Sequence, residues 1–251
     1  MPLLDHPVGD LEYVIHEGDP GRPTAVFLHE GLGSTGQWGR LPALFARQTG
    51  LRVLVYSRHG YGGSVGHGPD GPRYLHTQAL EILPRVLTDL SIDAPYLVGH
   101  SDGASIAAIY ASEHPVLGAT LIAPHIVVEE ATLAGIRSTA ASFGDTVRPS
   151  LAMFHDDPDR LFERWSTVWL SDEFADFDIT DAVARIHAPL QVIQGADDNY
   201  ATDLQLDRIS ERAPDGAATH LLAGHGHHPH LTDPDGISTL ISDFVRDTVL
   251  V

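Results

Sequence analysis

The pentapeptide Gly99-His100-Ser101-Asp102-Gly103 is the first candidate for chemistry in this chain. An apolar run at 95–98 precedes it, and a helix-like run of small residues at 104–111 follows it. Gly-x-Ser-x-Gly spacing between a strand and a helix is typical of a nucleophile elbow, in which a strained backbone presents the serine hydroxyl. The two glycines let neighbouring backbone pass without a Cβ clash. Ser101 is therefore the candidate nucleophile, and an ordinary strand-to-helix turn is the alternative.

A serine nucleophile needs an imidazole that takes its proton and a carboxylate that holds the imidazole. Asp197 and Asp198 follow a predicted strand at 189–194, and histidines follow the next predicted strand, at 219–222. This order, serine then acid then histidine, is that of doubly wound hydrolases. We favour Asp198, three residues after Gly195, because this spacing suits a short loop that reaches across to the histidine. Asp197 stays the alternative.

Four histidines crowd the loop after the last predicted strand: His225, His227, His228 and His230. Histidine clusters bind zinc, so a metal site is the competing interpretation. Adjacent histidines on one loop rarely share a metal without carboxylates placed to complete the site, and we therefore predict no metal. We choose His227 as the base because it follows Gly226 at the tip of the turn. The other three histidines are then loop or supporting residues.

A glycine-bearing loop, Glu30-Gly31-Leu32-Gly33-Ser34, follows the continuous apolar run at 24–29. Such a run is typical of a strand that is covered on both faces. The functional interpretation is that backbone N–H groups of the loop point at a developing oxyanion. The alternative is a simple strand-to-helix connection.

Apolar runs and helical spacing alternate along the chain. The predicted strands span 11–16 (an edge strand), 24–29, 52–56, 95–98, 118–123, 189–194 and 219–222, and the predicted helices span 39–49, 74–90, 104–113, 204–212 and 237–248. This alternation predicts an α/β fold with a doubly wound, mostly parallel sheet. From 125 to 187 strand-like runs disappear and helical spacing takes over, which predicts an inserted helical lid. The core is then formed by 1–124 and 188–251.

A helical lid supplies apolar walls over a site at the strand ends. The candidate pocket residues are Leu32, Trp38, His125, Phe154, Trp165 and Trp169. Trp165 and Trp169 lie four residues apart, and for this pair we favour the alternative of helix packing.

The chain resembles the α/β-hydrolase superfamily over essentially its whole length, and in particular small bacterial serine hydrolases with a lid. The matching segments are residues 29–34, Tyr56-Ser57-Arg58-His59-Gly60-Tyr61-Gly62, residues 99–103, Gly195-Ala196-Asp197-Asp198 and Gly226-His227-His228-Pro229-His230. The resemblance implies an α/β-hydrolase fold with Ser101 as nucleophile, Asp198 as acid and His227 as base. It also implies an oxyanion hole formed by the backbone N–H groups of Gly31 and Asp102.

The sequence departs from the family pattern at two places. Glu30 stands where the family often has glycine, and Ser57 and His59 stand where Asp and Pro are frequent, so we expect an altered rim of the site. Asp102 is an acidic residue beside the nucleophile, and its carboxylate at the pocket floor would disfavour anionic substrates. A solvated or helix-capping Asp102 side chain is the alternative.

The predicted reaction is covalent hydrolysis of a small-molecule carboxylic ester or lactone through an acyl-enzyme. The alternatives on the same scaffold are carbon–carbon bond hydrolysis of a β-diketone-like compound, thioester hydrolysis and a non-hydrolytic elimination or cyclisation. A small-molecule receptor is the alternative from another class.

Composition excludes several other functions. The net charge of −19 argues against nucleic acid and against anionic membrane surfaces as partners. The chain has neither cysteine nor lysine, which excludes thiolate chemistry, a Schiff-base cofactor and a P-loop. We predict no cofactor. Residues 1–6 lack the basic start and apolar core of a signal peptide, so we expect a cytoplasmic protein.

Overall fold

The computed structural model describes residues 1–69 and 71–250. Eight strands form a single sheet in the order β1-β2-β4-β3-β5-β6-β7-β8. The strands are β1 (Leu3–Leu4), β2 (Leu11–His16), β3 (Thr24–Leu28), β4 (Arg52–Tyr56), β5 (Tyr96–His100), β6 (Gly118–Ile122), β7 (Leu190–Gly195) and β8 (Ala218–Leu222). β1, β2 and β4 pair antiparallel, and all pairs from β4 to β8 are parallel. The doubly wound, mostly parallel sheet is confirmed.

Helices connect these strands. The α-helices of the described residues are α1 (Leu41–Thr49), α2 (Tyr74–Thr77), α3 (Leu83–Asp89), α4 (Asp102–Ala111), α5 (Glu130–Ala141), α6 (Arg148–Leu151), α7 (Pro158–Trp169), α8 (Thr180–Val183), α9 (Leu204–Arg212), α10 (Pro229–Thr232) and α11 (Pro234–Thr248). Short 3-10 turns span Thr35–Trp38 and Asp172–Phe174, and π turns span Gln78–Ile82 and Phe143–Val147. None of these helices is long and apolar enough to cross a membrane.

The structure corrects two details of the predicted elements. β2 is the second strand of the sheet and not its edge, because the two-residue strand β1 pairs outside it. The helix predicted over 74–90 is interrupted by a π turn that ends just before Pro84. A proline has no N–H for the helical ladder, so the turn before it is free to widen.

The core lies on both faces of the sheet, as the alternation of side chains along β3 shows. Val26 and Leu28 pack into one buried cluster, which includes the small side chains of α4. Ala25 and Phe27 pack into the other buried cluster, against α1 and α11. Successive strand residues point to opposite faces, so a fully apolar strand serves two cores.

The segment between β6 and β7 carries helices α5 to α8, where the sequence predicted an insertion. A single antiparallel bridge between Val127 and Asp178 brings the two ends of this segment together. The loops after β3, β5, β6, β7 and β8 follow the carboxyl ends of parallel strands, which meet at one edge of the sheet. Ligands of open α/β sheets bind at that edge.

Candidate active site

Ser101 joins β5 to α4 with a strained backbone. Its φ of 53° and ψ of −117° lie where a residue with a Cβ is rarely found, and its N–H donates to the Ile122 carbonyl oxygen at 2.9 Å. A Cβ at Gly99 would lie 2.2 Å from the Gly103 carbonyl oxygen, and one at Gly103 would lie 1.8 Å from the Leu28 carbonyl oxygen. Both glycines are therefore required by close backbone approach, and they hold the sharp turn that presents Ser101.

Asp198 and His227 form a buried pair at the ends of β7 and β8. Nδ1 of His227 lies 2.8 Å and 3.0 Å from the two carboxylate oxygens of Asp198, and the two side chains are 7% and 0% exposed. A carboxylate only accepts, so Nδ1 carries the proton and Nε2 of a neutral ring is left as the acceptor. Asp197, the alternative acid, is exposed and does not make this contact.

Further hydrogen bonds orient the Asp198 carboxylate. The Gln194 side-chain amide donates to Oδ2 at 3.0 Å, and the Tyr200 backbone N–H donates to Oδ1 at 2.8 Å. Burial raises the pKa of this carboxyl group, but the hydrogen bond and charge of His227 outweigh burial and hold the pKa of Asp198 below its ordinary value. Asp198 is thus ionised and fixed in place over the neutral range.

The peptide group between Glu30 and Gly31 is held by two donors. The Arg58 guanidinium donates to the Glu30 carbonyl oxygen at 2.7 Å, and Nδ1 of His29 lies 2.8 Å from the same oxygen. The Arg58 backbone N–H donates to Nε2 of His29 at 3.0 Å, so the ring proton sits on Nδ1 and donates to Glu30. This arrangement fixes the direction of the Gly31 N–H.

The Asp102 carboxylate is fully buried beneath the site. Tyr74 donates its hydroxyl to Oδ2 at 2.6 Å, Trp165 donates its indole N–H to Oδ1 at 3.5 Å, and the Arg58 guanidinium lies 3.7 Å away. Burial raises the pKa of Asp102. Trp169 in turn donates to the Tyr74 hydroxyl at 2.8 Å. The prediction that the Asp102 carboxylate lies at the pocket floor is thus wrong, because this carboxylate does not line the cavity and contacts Tyr74, Trp165 and Arg58 instead. The solvated alternative is also wrong, because the side chain is buried.

A cavity of about 290 Å³ opens beside Ser101 and His227. Its apolar and aromatic lining residues are Leu32, Ile136, Val147, Leu151, Trp165, Trp169 and Tyr200, and the remaining ones are Glu30, Gly31, Gln37, His125, Thr132, Thr139, Thr146, Ser150 and His228. Four of the six predicted pocket residues, Leu32, His125, Trp165 and Trp169, therefore line it. Burial lowers the pKa of His125 to about 3, so this wall histidine is neutral.

Two predicted pocket residues lie elsewhere. Trp38 is 1% exposed and packs in the core, with its ring 5.1 Å from that of Phe27 and 5.2 Å from that of His230. Phe154 packs over Gly36, where an added Cβ would lie 2.8 Å from its ring, and it is absent from the cavity lining. Apolar side chains serve a core and a pocket wall equally well, so their type does not reveal which one they face.

Two residues outside the predicted site, Tyr200 and Arg58, belong to its surroundings. The Tyr200 ring lies against the His227 ring at a tilt of 53°, with the ring centres 4.7 Å apart. The position of Tyr200 two residues after Asp198 is the signal that was available. Ser57 and His59 were expected at an altered rim, but both are buried, as is Arg58 between them. The rim expectation is wrong because β4 lies next to β3, which brings Arg58 under the Glu30 loop.

The four histidines of the last loop have different surroundings. His227 and His228 line the cavity, whereas His230 is buried against Trp38 and His225 lies 3.0 Å from the Thr232 hydroxyl. The ring centres of His227, His228 and His230 lie 5.1 Å, 4.9 Å and 4.5 Å from that of His100, the buried last residue of β5. Of these, His228 also forms a cluster with His100 and Glu30, in which one ligand atom of each side chain lies within 4.8 Å of the others.

Comparisons with known proteins agree with this architecture. The enol-lactonase from Burkholderia xenovorans LB400 superposes with a TM-score of 0.77 at 19% identity, over 97% of this chain and 99% of that one, which shows a shared fold. The proline iminopeptidase of Lactobacillus delbrueckii subsp. bulgaricus is 22% identical over 89% of this chain and 90% of its own length.

Another relative has a higher sequence identity, but over a shorter segment of the chain. The sn-1-specific diacylglycerol lipase of Mus musculus is 34% identical over 105 residues, which are 42% of this chain and 33% of the lipase. The chain thus spans about a third of the length of that relative. The sequence profile described as "Alpha/beta hydrolase family" matches residues 25–240, which is most of the chain. This chain belongs to the alpha/beta hydrolase family.

Proposed function

We propose that the protein is a serine hydrolase in which Ser101, His227 and Asp198 act as a catalytic triad on a small-molecule carboxylic ester or lactone. The observation that carries the proposal is the His227–Asp198 pair, with Nδ1 within 2.8 Å and 3.0 Å of the carboxylate oxygens, at the cavity that Ser101 also lines. This geometry leaves Nε2 of His227 as the proton acceptor that a serine nucleophile needs.

In the first step the Ser101 oxygen attacks the substrate carbonyl carbon while His227 takes the hydroxyl proton. The carbonyl oxygen becomes an oxyanion, and the Gly31 and Asp102 backbone N–H groups are its proposed donors. Asp102 is the first residue of α4, so its N–H is free of the helical ladder and lies at the positive end of the helix dipole. The bond to the leaving group then breaks, and His227 returns the proton to the leaving oxygen.

In the second step water replaces the leaving group. His227 removes a proton from water, the hydroxide adds to the acyl carbon, and the oxyanion hole stabilises the second tetrahedral intermediate. Its collapse releases the carboxylic acid, and the proton passes from His227 back to Ser101. The charge of Asp198 stabilises the imidazolium that exists in both steps.

The cavity favours a small, largely apolar acyl group. Its volume of about 290 Å³ is at the lower end of the range for small-molecule sites, and aliphatic and aromatic side chains form much of its wall. We propose that α5, α6 and α7 act as the lid of this cavity, since residues from all three line it. The indole of Trp165 lies directly against Gly31, where an added Cβ would be 2.1 Å from Nε1, so the lid reaches the oxyanion loop.

The test is covalent labelling with a fluorophosphonate, read by intact-protein mass spectrometry, together with the burst of p-nitrophenol from a p-nitrophenyl ester. We expect one label per chain, an initial burst, and the loss of both in Ser101→Ala. Ser112→Ala is the matched control, because Ser112 caps the other end of the same helix and its hydroxyl only donates to the Ile109 carbonyl oxygen.

The outcomes separate the alternatives. Labelling that persists in Ser101→Ala, or full activity of that variant, contradicts the proposal. Loss of turnover in Ser101→Ala without any trapped acyl-enzyme favours a non-hydrolytic elimination or cyclisation, in which His227 only moves a proton. Saturable binding of a substrate with no turnover at all favours a receptor.

A further inference from the structure

Three side chains that the proposed mechanism does not use converge beside the cavity. Glu30 comes from the loop after β3, His100 ends β5, and His228 comes from the loop after β8. One ligand atom from each lies within 4.8 Å of the other two. Glu30 and His228 line the cavity, and the His100 ring is fully buried behind them.

The hydrogen bonding of His100 leaves a bare nitrogen in this cluster. Nε2 of His100 lies 2.9 Å from the backbone carbonyl oxygen of His227, and a carbonyl only accepts, so Nε2 carries a proton. Nδ1 is completely buried and has no hydrogen-bond partner among the described residues. The nearest charge is the Glu30 carboxylate, whose Oε2 is 3.5 Å from Nδ1. When the His100 ring is neutral, the lone pair of Nδ1 thus faces a lone pair of the Glu30 carboxylate. A cation between these two atoms would stabilise the arrangement.

This arrangement has the form of a metal-ligand histidine. Histidines that bind metals almost always donate their other ring N–H to a carbonyl or carboxylate, which fixes the ring and the tautomer. Here the His227 carbonyl oxygen does this for His100. The tautomer therefore directs the Nδ1 lone pair toward Glu30 and His228.

The distances suit a small divalent ion. Zinc-to-nitrogen and zinc-to-oxygen bonds of about 2.0–2.2 Å in a tetrahedron place neighbouring ligand atoms about 3.4 Å apart. The separation between Nδ1 of His100 and Oε2 of Glu30 is 3.5 Å, close to this value. The Glu30 side chain is 14% exposed and borders the open cavity, so it has room to adjust.

We propose that Glu30, His100 and His228 bind one Zn²⁺ ion, with its fourth coordination position open to the substrate cavity. Two imidazoles and one carboxylate are a ligand set that zinc uses in open sites, and the chain has no cysteine to compete for the ion. This differs from the sequence-based prediction of no metal. That prediction considered only histidines of one loop, whereas the carboxylate that completes the site comes from Glu30.

Calorimetric titration of the full-length, untagged and metal-free protein with ZnCl₂ tests this site. We expect saturable binding of one equivalent, and binding at least ten-fold weaker in His228→Gln. His225→Gln is the matched control, since His225 lies on the same loop outside the cluster, and it should bind as the wild type does. Co²⁺ is a second probe, because its visible absorption reports tetrahedral coordination.

The outcomes are distinct from those for the proposed triad. Ser101→Ala should bind Zn²⁺ with unchanged affinity, so the metal site stands or falls independently of Ser101. Circular dichroism establishes that each variant is folded. Wild-type protein that binds no equivalent of Zn²⁺, or folded His228→Gln that binds it as tightly as His225→Gln does, overturns the proposal.

Discussion

The Arg58 guanidinium donates a hydrogen bond to the Glu30 carbonyl oxygen across 2.7 Å, and this carbonyl shares its peptide group with the Gly31 N–H. A positive charge on the oxygen of a peptide group polarises the N–H on its other side, and the low dielectric of the interior strengthens the effect. Arg58 is 3% exposed. It therefore both orients and polarises the proposed oxyanion donor without touching the substrate.

We predict that Arg58→Lys lowers kcat about ten-fold with little change in KM, which is less than the roughly 10²–10³-fold effect of losing a direct oxyanion donor. Lysine keeps the charge but lacks the planar fork that reaches both Glu30 and Asp102. Steady-state kinetics on a p-nitrophenyl ester measure kcat and KM separately for the variant and the wild type. The exposed Arg160→Lys is the control. A rise in KM at unchanged kcat would mean that Arg58 serves substrate binding instead.

The two neighbouring aspartates offer a direct test of the acid. Asp198→Asn should lower kcat by about 10⁴-fold, as in the Ser-His-Asp template, because an amide favours the wrong tautomer of His227. Asp197→Asn should leave kcat near the wild-type value, since Asp197 is exposed and has no contact with the His227 ring. Comparison of kcat for the two folded variants measures this. The reverse ranking would assign the acid to Asp197.

The elements that hold the site could be predicted from the sequence because each rests on a local signal. Ser101 stands between an apolar run and a run of small residues, and the acid and histidine each follow a strand-like run. The spacing of apolar residues and the positions of turn-forming residues are enough to predict such features. The choice of Asp198 over Asp197 rested on its distance from Gly195, and the structure brings Asp198 against His227.

Other contacts had no local signal. Trp38 and Trp165 are both apolar aromatic residues near helical turns, yet one is in the core and the other lines the cavity. Arg58 reaches Glu30 across 28 residues of sequence, and Tyr74 reaches Asp102 across the same separation. Such pairs depend on which strands and helices become neighbours, and residue spacing carries no information about that.

The neutral histidine in the cavity wall makes stability depend on pH. Burial lowers the pKa of His125 from 6.5 to about 3, with the His227 charge acting in the same direction and Asp198 opposing it. Between pH 6.5 and about pH 3, His125 is protonated in the unfolded chain and neutral in the folded chain. The unfolded state therefore binds more protons, and the free energy of unfolding falls as pH falls. This group contributes a slope of up to about 1.4 kcal/mol per pH unit.

We predict that His125→Gln has a shallower loss of stability than the wild type as pH falls from about 6.5 toward 3, since its side chain does not titrate. Guanidinium unfolding over a series of pH values measures the free energies. His187→Gln, at a position 73% exposed, is the control and should keep the wild-type slope. Identical slopes for wild type and His125→Gln would show that His125 is already protonated in the folded protein or is not buried in solution.

Gly103, two residues after Ser101, lies close to Leu28, the last residue of β3. Because the loop that carries the Gly31 N–H follows β3, this contact joins the turn at Ser101 to that loop. A Cβ at Gly103 would lie 1.8 Å from the Leu28 carbonyl oxygen, which is rigid backbone. We predict that Gly103→Ala destabilises the fold by about 1–3 kcal/mol or more and lowers kcat, since backbone must shift on both sides of Ser101. Gly144→Ala is the control: in the described part of the chain no atom beyond its neighbours and its own helix backbone lies within 4 Å of the added Cβ, and helix propensity favours alanine by up to about 1 kcal/mol. Guanidinium unfolding and ester kinetics on both variants measure the effects. Wild-type stability in Gly103→Ala would mean that α4 is free to move away from β3, and the elbow would then not be held by this contact.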